Sequence, residues 1–387
     1  MPDWALGQWA AQTRMKRIHE FEALRGVLAL WVVVGHVLKH SGYSAGMLGP
    51  LGLLAEPGWP VDVFIILSGF VIFNLIDHKH EGYVPFIVRR FFRLYPVYVI
   101  AIVASAIFAG TYLDWLQAFP WKTPFIDGTV RIARETSATL IPQLLVHLTM
   151  LHGIVPNSIL PSSQYAIVGQ AWSISVEWQF YLVAPLLYFA LRNRPLLLIA
   201  IVLGIVGLHS RYWLGEGFAV NQGGFFLIGI VCYFAYKHSD RWPLDPVHVW
   251  LGVAIAAMAL VFFLPKPVSL ILWFAVFGAA ILGKREKKNP VSALFNIGAM
   301  QMLGKISYSV YLCHVLVMAS VSLTILRFVN PVTQFEHMAL LMIFTVPLTI
   351  GLSMLTFRFI EKPGMNLGQR VAKAMRPKAF RPAVEGA

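Results

Sequence analysis

The run Leu24 to His36, LRGVLALWVVVGH, places a guanidinium at Arg25 and an imidazole at His36 inside an otherwise apolar stretch. On a helix this spacing is close to three turns, so both side chains fall on nearly one face, roughly 16 Å apart along the axis. A guanidinium fork suits phosphate oxygens, and an imidazole can move a proton near neutral pH. Ionisable groups inside a membrane mostly face a cavity or a partner. Taken singly, Arg25 can instead snorkel to headgroups, and His36 can be an interfacial histidine satisfied by a carbonyl.

Other segments carry groups of the same kind. Glu177, in GQAWSISVEWQFYLVAP, sits at the apolar start of a span and needs a partner or a proton. Paired with His36 it would make an acid–base couple; a local structural network is the alternative. Trp172, Ser173, Gln179 and Tyr181 add polar groups to the same segment and are candidate site-lining residues. In WPVDVFIILSGFVIF, Asp62 is either a helix cap or a polar contact in a site. Ser68 and Gly69 are small enough to let helices approach closely, and Ser68 is also a candidate lining residue. Arg89, Arg90 and Arg93 cluster in FIVRRFFRLYPVY, where they serve as a topological anchor or a phosphate clamp; Arg90 and Arg93 share a face. His314 lies mid-span in ISYSVYLCHVLVM, and Arg358, Glu361 and Lys362 read as a salt bridge closing the last span. Cys232 and Cys313 read as small packing residues, and no disulfide, zinc or other metal site is expected.

The elements that hold these groups follow from composition. The 387 residues are 58% hydrophobic and 13% charged, with a mean hydropathy of +0.67, unlike a soluble domain. The expected fold is all-α: a polytopic transmembrane helical bundle of about ten spans plus one short re-entrant or interfacial helix. Spans are expected at 22–40, 60–77, 90–111, 172–191, 195–214, 222–237, 247–264, 268–284, 303–328 and 337–359. The run 140–153 is too short to cross and is the re-entrant or interfacial piece. With both termini in the cytoplasm, 23 of the 31 Lys and Arg fall inside, seven fall outside, and Arg25 lies within a span. That bias favours this orientation, in a bacterial inner membrane. The net charge of +13 therefore orients the protein and implies no nucleic-acid partner. The first seventeen residues show no cleavable signal peptide. The loop 112–171 is long enough to be functional and holds Asp114, Trp115, Trp121, Asp127, His147, His152 and Gln164, any of which could line an acceptor site or simply be interfacial. Residues 1–363 are read as one integral membrane domain. Residues 364–387 are read as a disordered basic cytoplasmic tail that rests on anionic lipid.

In this order, EALRGVLALWVVVGH, VDVFIILSGFVI, RRFFRLYPVY, WSISVEWQFYLVAP, ISYSVYLCH and FRFIEKP resemble the membrane-bound acyltransferase-3 family, over residues 22 to 363. The family's arginine and histidine map onto Arg25 and His36. Trp178 stands where many members carry a second acid, so a carboxylate pair is not available. The resemblance implies O-acylation, commonly O-acetylation, of a carbohydrate or lipid-linked glycan. Acyl-CoA, chiefly acetyl-CoA, is the implied co-substrate, with no bound cofactor. Arg89, Arg90, Arg93 and Arg25 would then hold the donor's phosphates. His36 would be the general base or form an acyl-histidine, with Glu177 orienting its ring. No hydrolase-like domain is expected beyond the membrane unit. A transporter or flippase for a glycan or acyl metabolite is the rival reading, since its composition would look the same.

Overall fold

The computed structural model describes residues 18–79, 81–193, 215–241, 248–250, 252–253, 267–285, 287, 289–331 and 333–375. Among the described residues the chain is all-helical, and seven helices are long and apolar enough to cross a membrane. It is an integral membrane protein. The shorter apolar helix Val268–Lys284 coincides with an eighth expected span. The expected spans 195–214 and, apart from 248–250 and 252–253, 247–264 lie outside the described residues.

The helix α1, His19–His40, carries the Arg25–His36 face. Glu20 and Glu22 lie in its first turn and Lys39 and His40 in its last, matching the helix dipole. Next come α2, Gly58–Lys79, and α3, Tyr83–Ile107. The third span thus starts at Tyr83, before the expected 90, so Arg89, Arg90 and Arg93 lie within the helix. Beyond α7, Trp172–Asn193, lie α8, Gly223–His238, and α9, Pro267–Lys284. The long α11, Gly298–Phe328, follows the short α10, Pro290–Phe295. It lies tightly along α1, because a Cβ at Gly26 would sit 2.7 Å from the Gly304 nitrogen. Gly69 of α2 meets the Phe226 carbonyl of α8 in the same way, which bears out its reading as a packing residue.

The segment between α3 and α7 folds into α4, Ala109–Gln117, α5, Pro124–Ala138, and α6, Leu140–Leu148. Thr123 caps α5 by accepting from the Ile126 nitrogen at 3.2 Å, with Pro124 at the first helical position. With nine residues, α6 is roughly 13 Å long, far short of a bilayer core of about 30 Å. Trp121 Nε1 donates to the His40 carbonyl at 3.0 Å, and Tyr98 Oη to that of His147 at 2.9 Å. These bonds seat the segment on the His36 end of the bundle. Trp115, Leu116 and Phe119 pack there against Met318 and Leu341 in a core of their own.

The last span, α12, Gln334–Thr356, starts with a capping box between Thr333 and Glu336. A π-turn over Phe357–Glu361 follows, then α13, Lys362–Ala374. The tail expected to be disordered from 364 is therefore helical to Ala374. It packs on α3 where Gly364 and Gly368 meet Pro96 and Phe92. Residues 376–387 lie outside the described residues.

Candidate active site

His36 is half-buried, on the wall of a cavity of about 480 Å³. α1 supplies His36 and His40, α4 supplies Tyr112 and Trp115, and Gln170, Trp172 and Tyr311 close the side towards the bundle. The His36 ring lies 5.2 Å from that of His314, 6.0 Å from His40 and 6.4 Å from Phe125. Apolar walls with a few polar groups at one end describe a small-molecule site.

A second cavity, about 70 Å³, lies deeper in the bundle and gathers Arg25, Arg90 and Arg93 with Glu177, Tyr181, Ser68 and Ser173. Glu177 accepts from Ser68 Oγ at 3.3 Å and from Tyr181 Oη. Arg90 lies over the Tyr181 ring at 5.8 Å, and Arg93 pairs with Glu361 at 2.9 Å. Glu361 is fully buried and also accepts from Ser309 Oγ at 2.8 Å. Three guanidinium groups therefore meet two carboxylates, and the Nε atoms of Arg25 and Arg90 are buried without hydrogen-bond partners among the described residues. Such an excess of buried donors favours an anion. A third cavity, about 330 Å³, continues to the opposite end past Glu22, Asn74, Lys305 and Met365.

The three cavities share walls. Arg25 and Arg93 line both the second and the third, and Tyr311 lines both the first and the second. Tyr311 Oη donates to the Gln170 carbonyl at 2.9 Å and lies 2.7 Å from Ser173 Oγ, which holds it as the partition. The side chains that share one face of α1 thus line different members of a row of adjoining cavities.

Several expected residues do other work. No hydrogen bond or ion pair joins Glu177 to His36 among the described residues; the carboxylate is held among the guanidinium groups, where its charge is compensated. The expected acid–base couple is corrected on that ground. Arg89 pairs with Glu81 instead of lining a cavity. Asp62, 3% exposed, accepts from Ser269 Oγ at 3.4 Å, tying α2 to α9 away from the cavities. Gln179 donates to the Ser175 hydroxyl and the Gly217 carbonyl at 3.1 and 2.8 Å and accepts from the Ala219 nitrogen at 3.0 Å, so it staples a loop. Glu361 closes onto Arg93 where a bridge to Arg358 or Lys362 was expected, because the π-turn directs it inward. His147 and His152 stack at 4.0 Å, and burial pushes His147 down to about 4 and His152 well below its ordinary value, leaving both neutral and structural.

A family of acyltransferase domains matches residues 18–358. The chain belongs to the acyltransferase-3 family. It is 24% identical, over 90% of its length and 56% of the relative's, to the peptidoglycan O-acetyltransferase OatA of Listeria monocytogenes. It is 21% identical, over 90% of its length and 58% of the relative's, to a putative O-acetyltransferase of Staphylococcus aureus strain COL. A shorter match, 32% identical over 43% of this chain and 80% of the relative, is to protein 2 in the picA locus of Rhizobium radiobacter. The chain thus spans little more than half the length of the first two relatives. No solved structure matches.

The family match takes in every residue of the first two cavities. Of these, His40, Tyr311 and Gln170 escaped the sequence reading. His40 follows His36 at the i+4 spacing that puts side chains on one helical face, and Tyr311 precedes His314 by one turn. Tyr311 stands in the quoted ISYSVYLCH, whereas His40 lies four residues beyond the end of the first quoted run. Gln170 carries no comparable signal, because a single turn of 3-10 helix, Gly169–Ala171, brings it to the site.

Proposed function

We propose that this chain is a membrane O-acyltransferase that moves an acyl group, chiefly acetyl, from acyl-CoA to a hydroxyl of a carbohydrate or lipid-linked glycan. The observation that carries the reading is the row of adjoining cavities, with Arg25, Arg90 and Arg93 in one and His36 in the next across Tyr311. The donor enters from the third cavity, on the cytoplasmic face of a bacterial inner membrane. Its phosphates meet the guanidinium groups and Lys305, and Glu177 offsets part of their charge. The pantetheine arm passes Tyr311 and presents the thioester at His36. A separation of roughly 16 Å along α1 suits an extended arm of that kind.

The acceptor occupies the first cavity, where the half-buried Trp172 and Tyr112 line the wall and can pack on a sugar ring. His36 takes the hydroxyl proton as the oxygen attacks the thioester carbonyl. The carbon–oxygen bond forms, the carbon–sulfur bond breaks, and the proton returns to the leaving thiolate. An acyl-histidine intermediate is the covalent variant. The charge bias favours ten spans with both termini cytoplasmic, an arrangement in which donor and acceptor approach from opposite faces.

The test incubates purified protein with acetyl-CoA and envelope glycan and follows free thiol together with acetylated glycan. Wild type should yield both in equal amounts. His36→Ala should lower the rate roughly 10²- to 10⁴-fold. Glycan movement with no thiol release would replace transfer with transport.

A further inference from the structure

With Glu177 in the second cavity, a group other than a carboxylate must set the tautomer of His36. We propose that His314, on α11 behind His36, is the positioning residue that accepts the His36 Nδ1–H and stabilises the ring while it carries a second proton. This rests on the reading of His36 as the base for the acceptor hydroxyl.

The tautomer of His314 follows from its neighbour. Nδ1 lies 2.8 Å from the Tyr311 carbonyl, which only accepts, so Nδ1 carries the proton. Nε2 of the neutral ring is then a bare acceptor; it is buried and has no hydrogen-bond partner. His36 Nδ1 is buried and unpartnered in the same way. Buried polar atoms of this kind call for an explanation, and here two complementary ones belong to adjacent rings. The ring centres are 5.2 Å apart. No hydrogen bond joins the two atoms in this structure; at that separation a rotation of either ring would bring Nδ1–H and Nε2 to roughly 3 Å. His36 as a residue lines the first cavity, and its Nε2 is not among the buried unpartnered atoms. With Nδ1 turned to His314, Nε2 is left for the acceptor hydroxyl.

His40 Nε2 is a buried, unpartnered acceptor of the same kind, but its ring is farther from His36 and held by other contacts. Its Nδ1 donates to the His36 carbonyl at 2.8 Å and its ring stacks on Trp115, with its centre 6.0 Å from that of His36. The titratable groups acting on His36 are Lys39 and His40 from α1 and His314 from α11, and none is a carboxylate. During transfer the hydroxyl proton goes to His36 Nε2, Nδ1–H stays on the His314 lone pair, and the Nε2 proton leaves with the thiolate. No net charge is added to the site.

The test measures kcat, the donor KM and thermal unfolding for His314→Leu, His314→Asn and His314→Gln beside wild type and His36→Ala. Leu removes the acceptor, Asn holds one too short to reach, and Gln can place its carbonyl oxygen near Nε2. Leu and Asn should lose roughly 100-fold in kcat with donor KM within about twofold, and Gln should recover about tenfold of that loss. Wild-type kcat in Leu or Asn, or equal losses in all three, overturns the inference. Should Leu fail to fold, Asn against Gln decides. An inactive wild type, or an active His36→Ala, would instead remove the underlying reading of His36.

Discussion

The cations of the second cavity divide into two kinds. Arg93 is committed to Glu361 at 2.9 Å, whereas the Arg25 Nε has no protein partner. Arg25→Ala should therefore raise the donor KM at least tenfold and leave the unfolding midpoint near wild type. Arg93→Ala strands a carboxylate that is 1% exposed. Losing one partner of a buried pair costs about 3–5 kcal/mol, so this variant should unfold at clearly lower temperature. Donor titration and a thermal melt in detergent separate the two, and equal behaviour would erase the distinction. Sequence made both arginines visible as candidates but not their roles. Arg93 and Glu361 are 268 positions apart, and nothing local announces that they meet. The same holds for Glu177, whose expected partner was chosen on chemistry alone.

Among elements, the spans were readable because an apolar run of the required length has few alternatives in a bilayer. Seven of the expected spans coincide with long apolar helices. The segment 109–171 was not readable, because its course depends on bonds between its ends and the bundle, such as Trp121 to His40. The π-turn at Phe357–Glu361 was equally silent, since one extra residue in a turn leaves no mark on hydropathy. Helix contacts make a firmer prediction. At the crossing of α1 and α11, a Cβ on Gly304 would run into the Glu22 carbonyl, a backbone atom that cannot step aside alone. Gly304→Ala should cost about 1–3 kcal/mol through overpacking. It should also disturb the third cavity, which Gly304 and Glu22 both line, so donor affinity should fall with stability. An unchanged melt and donor KM would mean the helices separate at no cost.

For the whole molecule, the adjoining cavities turn orientation into a question about chemistry. If the third cavity opens to the cytoplasm, acyl-CoA reaches the guanidinium groups directly and the acceptor hydroxyl meets His36 from the other face. If the chain is inverted, the donor has no supply at that mouth. Two exposed positions report the answer: Asn296, just before α11 at the Arg25 end, and Ser158, in the segment over the His36 end. Cys232 is buried and Cys313 half-buried, so both are replaced by Ala before single cysteines are introduced. A membrane-impermeant thiol reagent added to intact cells should modify Ser158→Cys and spare Asn296→Cys, and inverted vesicles should reverse the pattern. The charge bias predicts this result from loop residues, and the proposed donor route requires it. Labelling of Asn296→Cys from outside would break both at once, because a donor confined to the cytoplasm could then reach the thioester position only through the acceptor's cavity.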